Sequence, residues 1–371
     1  MELIDEKGRL FGRVNVVDAL VVLVVLAVVA AGVALVTGGG GGPTAPSGDG
    51  TDAETRYATL ALGAQPVWSV SPILSDQNVT LSGSSATVSV TDVHLTGATN
   101  DRVRTLVRIA YPEGTTVGNA PLRAGQAVTM VGDDYQTEAA VRSVGGNRST
   151  FRSASTPVAV TATVDPATAA AVESGDRFTV GNRTLATVES VAVLPTNESD
   201  VRRLQLGVTL ATRTVAGTPE FADRALRVGS RVPLRTNDVG DIAATVTAVG
   251  SLDQPGDPVN GTMTVVWEGV RPSVADALTA GQNARHRGAT ARITGVASDP
   301  SSVVVPTADG DLVLRDHPRL RDVTLTVQAT ARRTDSEVLF HGRPLTAGRT
   351  VTLDFDSIRV RGTVVNFESD E

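Results

Sequence analysis

The chain has 371 residues, a formal net charge of −7 and a pI near 5.2, which excludes a nucleic-acid partner held by phosphate contacts. It contains no cysteine, so thiol catalysis, disulfide staples and cysteine metal sites are excluded as well. Lys7 is the only lysine, and Ala, Val, Thr, Gly and Asp dominate. That profile fits a GC-rich genome and a mildly acidic, salt-adapted surface, and it points to a halophilic archaeon ahead of a high-GC bacterium.

The first predicted element is a transmembrane helix over residues 16–37. Ala19 to Val36 is apolar throughout apart from one glycine, and Asp18 is the only interruption before it. About 20 residues at ~1.5 Å each span a hydrocarbon core of ~30 Å. A cleaved secretory signal would have a shorter apolar region and a basic leader. Here the leader mixes Glu2, Asp5 and Glu6 with Lys7, Arg9 and Arg13, although Ala30 and Ala31 weakly imitate a cleavage site. An uncleaved anchor therefore stands ahead of a cleaved signal and of a buried soluble helix. Lys7, Arg9 and Arg13 precede the span, and no Lys or Arg follows it before Arg56. Basic residues stay inside. Residues 1–15 are thus expected to be a cytoplasmic leader, 16–37 to contact the lipid bilayer, and the rest to lie outside. Residues 38–56, opening on Gly38–Gly42 and rich in Pro, Ser and Thr, read as a flexible tether.

From Tyr57 the texture is mainly β, with period-two alternation in "VAVTATV" (158–164) and "VTLTVQATA" (323–331). A repeat runs through it. Leu122, Leu226 and Leu345 each sit three residues before a glycine (Gly125, Gly229, Gly348), and Val128, Val232 and Val351 follow three after it. A polar turn and a closing strand ending at Val144, Val249 or Phe367 complete a hairpin, with the glycine supplying a positive φ. A second kind of unit centres on Gly175 and Gly281, and Asp76 takes the glycine position in a degenerate first copy. Short helices are predicted over 165–174 and 271–280, with Pro166 and Pro272 in their first turns. The half-units pair into tandem small barrel- or sandwich-like modules over 57–150, 155–254 and 258–371. One half-unit is too small to bury a core alone. The connections 145–157 and 251–261 have the Gly/Pro/Ser/Asn character of exposed linkers.

Asn78, Asn147, Asn182, Asn197 and Asn260 head Asn-x-Ser/Thr sequons, candidate N-glycosylation acceptors that agree with an external domain. Catalytic signals are missing. His94, His286, His317 and His341 show no metal-ligand spacing, and there is no nucleophile-elbow or phosphate-loop motif. Acidic residues recur in the hairpin turns: Asp133, Asp134, Asp238, Asp241, Asp354 and Asp356. They could bind Ca²⁺ weakly, but Asp also favours turns by bonding its own backbone, and that reading takes precedence. Neither catalytic, cofactor-binding nor metal-binding residues are assigned.

The opening "DEKGRLFGRVNVVDALVVLVVLAVV", together with the paired pattern of "SGDRFTVGNRTLATVESV" and "VGSRVPLRTNDVGDIAATVTAVG", resembles the membrane family called domain of unknown function 4330. The resemblance implies a single-pass membrane protein with an external β-domain. It implies one module pair per member, so that three would be an expansion, and it carries no catalytic residue. The expected function is a non-enzymatic envelope protein, a tethered β-repeat that binds or spaces another envelope protein or glycan. The alternative is an accessory subunit of a membrane export or surface-assembly complex. The most remote reading, an external hydrolase, would need a histidine, a serine and an aspartate brought together in space.

Overall fold

The computed structural model describes residues 9–10, 14–15, 54–75, 78–97, 100–145, 148–284, 291–355 and 358–370. The predicted span over 16–37, the tether up to residue 53, Asn147, Asp76, His286 and Asp356 lie outside them, as does most of the leader. Among the described residues no helix is long and apolar enough to cross a membrane. The chain divides into two units, 1–53 and 54–371. In the first, β1 (Arg9–Leu10) pairs antiparallel with β2 (Val14–Asn15).

The second unit is mainly β, built on three large sheets. The first holds β3 (Thr55–Pro66), β4 (Asn78–Leu81), β5 (Thr87–Thr96) and β6 (Arg102–Pro112), with a short 3-10 turn and α1 (Val70–Ser75) after β3. It continues through a small hairpin, β7 (Thr116–Val117) and β8 (Ala120–Pro121), to β9 (Ala127–Val131) and β10 (Gln136–Val144). The second sheet holds β11 (Ser153–Val164), α2 (Pro166–Ala171), β12 (Arg177–Val180), β13 (Arg183–Pro195) and β14 (Arg202–Val215). Its small hairpin is β15 (Thr218–Phe221) and β16 (Arg224–Ala225), followed by β17 (Arg231–Leu234) and β18 (Ile242–Val249). The third holds β19 (Asp257–Val270), α3 (Pro272–Ala275), β20 (Ala291–Pro306) and β21 (Leu312–Arg333). The hairpin β22 (Val338–Phe340) and β23 (Arg343–Pro344) precedes β24 (Thr350–Phe355) and β25 (Ile358–Ser369).

Strand order is the same in all three. The first sheet closes into a barrel, β10-β3-β6-β5-β4-β9. The second runs β12-β13-β14-β11-β18-β17, the same sequence of roles left open between its two short strands. Asn237 spans that opening: its N–H donates to the Arg177 carbonyl at 2.8 Å and its side chain meets Thr179. In the third sheet a two-residue stretch replaces the first short strand, with Asn283 bridging to Arg292 and Ala284 to Phe355.

The repeat is present in the backbone itself. Gly125, Gly175, Gly229, Gly281 and Gly348 have φ between 81° and 97°, the left-handed region open to glycine. Each donates its N–H at 2.7–2.8 Å to Val141, Val188, Val246, Ile293 or Val364 on the following long strand, whose own N–H returns to the residue after the glycine. One residue later the ladder slips: Arg142, Glu189, Thr247, Thr294 and Val365 are skipped in the pairing, and Thr91 is skipped in the first half of the first sheet. Such bulges add local twist and coil a flat sheet toward closure. Pro166 and Pro272 stand in the first turns of α2 and α3, and the Asp165 side chain caps the Thr168 N–H at 2.9 Å. Leu122 and Leu226 are buried as expected, along with Val128 and Val232; Leu345 and Val351 are only half-buried.

The expected boundaries shift at several points. β3 begins at Thr55, paired to Pro112, so the last residues assigned to the tether lie in a strand. β11 begins at Ser153 and β19 at Asp257, which shortens both connections. Nor are the connections loose. Phe151 N–H donates to Asp92 at 2.8 Å, Arg108 holds the Arg148 carbonyl at 2.9 Å, and the Gln254 amide donates to the Val160 carbonyl at 3.1 Å. Most described residues of the first connection are exposed, as expected, but both connections are also hydrogen-bonded onto the preceding sheet. The first two sheets share one continuous apolar core, and the third has its own. In the third sheet β20 and β21 extend beyond the corresponding strands of the others as a ribbon, with Val304, Leu312 and Leu314 exposed.

Candidate functional site

The two halves of each sheet are built alike, except that the small hairpin stands where the first half has its helix. All three hairpins turn through two successive residues of positive φ: Gly118 and Asn119, Ala222 and Asp223, His341 and Gly342. That is the type I′ pattern, whose twist suits a two-residue hairpin.

In the second sheet this hairpin latches onto the first. Phe221, at the end of β15, is 2% exposed. It packs so closely over Gly97 that a β-carbon there would lie 2.6 Å from Cζ. The Ala222 N–H donates to the buried Thr96 hydroxyl at 2.6 Å, and Arg104 pairs with Asp223 at 3.3 Å. Arg235 bridges Asp101 and Asp241 across the same junction. The third sheet's hairpin meets the second in the corresponding way. Arg203 Nη1 donates to the His341 carbonyl at 3.2 Å, and Gly342 approaches Gln205 so that a β-carbon would lie 2.6 Å from its amide nitrogen. Thr352 donates to the Asn197 side chain at 2.9 Å.

His94 lies buried at the first junction, its ring 5.9 Å from that of Phe151. Burial, reinforced by Arg213, lowers its pKa to about 4 against the partial opposition of Asp92 and Asp223. The folded state therefore binds fewer protons than the unfolded chain between pH ~4 and ~6.5. Stability is complete above pH ~6.5 and falls by about 3 kcal/mol as the pH drops through that window. Denaturant unfolding at pH 7.5 and pH 5 measures the loss, and His94→Gln should flatten that part of the slope. An unchanged slope in the variant assigns the acid sensitivity to the carboxylates instead.

The second junction has a distinct electrostatic character. Arg203 and Arg343 border two adjoining hollows, one also lined by Arg349 and the other by Arg231. Among the described lining residues none is acidic. Burial, and then the Arg343 charge, lower the pKa of Arg203.

The residues singled out in the sequence are scattered. Asn78, Asn182, Asn197 and Asn260 are exposed. His94 lies in the first sheet, while His317 and His341 belong to the third, where His341 stacks on Phe340 at 3.8 Å. Asp133, Asp134 and Asp238 are exposed in turns, Asp241 accepts from the Asn100 N–H, and Asp354 holds Arg359 at 2.7 and 3.2 Å. No three His, Asp or Glu among the described residues gather around a cation-sized space. Sequence reasoning missed the latch and the arginines. Extending the repeat alignment upstream would have found the latch, because Val117, Phe221 and Phe340 each lie five residues before the repeat leucine.

Comparison with known families is decided by one match: the pattern of the family described as a domain of unknown function (DUF4330) covers residues 1–99 and 238–368. The chain belongs to that family. No curated protein and no solved structure matches it. In this DUF4330 chain the matched segments contain the leader, the predicted span, β3 to β5 and everything from β18 to β24 and most of β25. The unmatched residues 100–237 hold the first junction's latch, Phe221, and most of the second sheet.

Proposed function

We propose that this DUF4330 chain is a single-pass, membrane-anchored, non-enzymatic envelope protein. In this reading residues 16–37 form the anchor, and residues 54–371 stand outside the cell as tandem β-modules that bind or space another envelope component. The latch carries the proposal. Flexibly beaded domains serve avidity, whereas sheets fastened by a buried phenylalanine and a buried hydrogen bond hold a fixed separation. The apolar run, the basic residues ahead of it and the sequons support the placement. Exposed Asn78, Asn182, Asn197 and Asn260 are the acceptors offered for glycosylation. The alternative of an accessory subunit in a membrane complex draws on the β1–β2 pairing of the leader, since an anchor alone needs no defined leader.

Protease added to intact cells should degrade the region beyond residue 42 while the bilayer stays sealed. Survival of that region until the membrane is broken would reverse the orientation. A stoichiometric membrane partner retained through detergent purification would favour the accessory subunit.

A further inference from the structure

We propose that the arginine-lined junction of the second and third sheets binds an acidic sugar chain, one bearing carboxylate or sulfate groups. The proposal deepens the envelope-binding reading and rests on its external placement.

Charge carries the first part of the argument. The chain has 40 acidic and 33 basic residues, yet the two adjoining hollows present Arg203, Arg231, Arg343 and Arg349 and no described carboxylate. None of these four is in an ion pair among the described residues. A half-buried guanidinium beside a second one is unfavourable unless an anion joins them. Arg203 is in that position, with Nη1 on the His341 carbonyl and Arg343 as its charged neighbour.

Geometry narrows the anion. A planar guanidinium fork matches carboxylate or sulfate in two parallel hydrogen bonds. Because Arg203 and Arg343 border both hollows, one anionic group held between them leaves room for the chain to run on toward Arg349 at one end and Arg231 at the other. Exposed Thr350 at one end and Thr163 at the other provide hydroxyls for those of the sugar. A bare phosphate chain would use the arginines but not the hydroxyl partners.

The full-length protein in detergent is titrated with polygalacturonate, dextran sulfate, neutral dextran and polyphosphate, with melting temperature recorded in parallel. At least one acidic sugar polymer should bind, more weakly as salt is raised, and neutral dextran should not. Arg343→Glu should weaken binding about tenfold or more, and Arg343→Glu with Arg349→Glu should abolish it. Arg315→Glu, exposed on β21, should leave it unchanged. If the double variant does not fold, Arg349→Gln on that exposed side chain supplies the same comparison. Four results would each overturn the proposal: no binding of either acidic sugar polymer, equal binding of neutral dextran, retention in the arginine variants, or tighter binding of polyphosphate. These are solution measurements, so their failure leaves the anchor and its orientation, tested on cells, untouched.

Discussion

Phe221→Ala destabilises the folded region by about 3–5 kcal/mol and uncouples the second sheet from the first. The phenylalanine is at 2% exposure, belongs to the core that the two sheets share, and fills the space left by the missing side chain of Gly97. Truncation leaves a cavity that neighbours held in two separate ladders are poorly placed to fill. Thr96 would keep its hydrogen bond to the Ala222 N–H, but with water admitted beside it that bond contributes less. Gly97→Leu attacks the same contact from the other side by forcing the ring out of its place. Denaturant unfolding of the full chain gives the magnitude. Amide exchange across β5 and β15 shows whether protection is lost on both sides of the junction together. If both variants unfold like the parent chain, the hairpin is a surface ornament, and the fixed-separation argument for a spacer falls with it.

Leu226→Ala costs about 2–5 kcal/mol. Leu226 is 4% exposed, and its N–H is fixed to the Pro219 carbonyl at 2.8 Å, so the strand cannot slide to close the gap. Three residues on, Gly229 has φ of 85°, where a β-branched side chain is excluded, and Gly229→Val should be damaging for a backbone reason alone. Asp238→Asn, on an exposed turn residue, should stay within about 0.5 kcal/mol. Chemical denaturation of the three variants side by side settles the comparison. A silent Leu226→Ala paired with a costly Asp238→Asn would mean that core and turn are inverted, and the acidic turn would become a candidate Ca²⁺ site.

Much of the half-unit could be read directly from the sequence, because its rules are local. A glycine that must take positive φ, a proline at a helix start and an alternating strand are visible in one window of sequence. Gly175, Pro166 and the run 158–164 illustrate each in turn. What brings half-units together was not visible. The latch turn of the second sheet is Ala222–Asp223, which lacks the Asn-Gly or Asp-Gly signature that marks a type I′ hairpin. Nothing in the sequence around Phe221 therefore marks it off from an ordinary strand residue. The arginine junction draws on positions 203, 231, 343 and 349, which belong to different strands and turns of two sheets. No spacing rule connects them, and only the docking of one sheet on another makes them neighbours. The third sheet's lost short strand was hidden for a related reason. Asn283 and Ala284 do the work of that strand through two isolated bridges, too few residues for any periodicity.

The direction of the latch imposes an order of assembly. Each sheet forms from its own stretch of chain, but Phe221 has nowhere to go until Gly97 and Thr96 are in place, and the hairpin at His341 needs Arg203 and Gln205 already set. Every clasp points back toward the N-terminus. A chain synthesised from its N-terminal end presents its sheets in that sequence, and domains fold as units in the order they emerge. At each step the newest hairpin finds a finished receptor, so the interval during which Phe221 or Phe340 is bare to solvent lasts only as long as its own sheet takes to form.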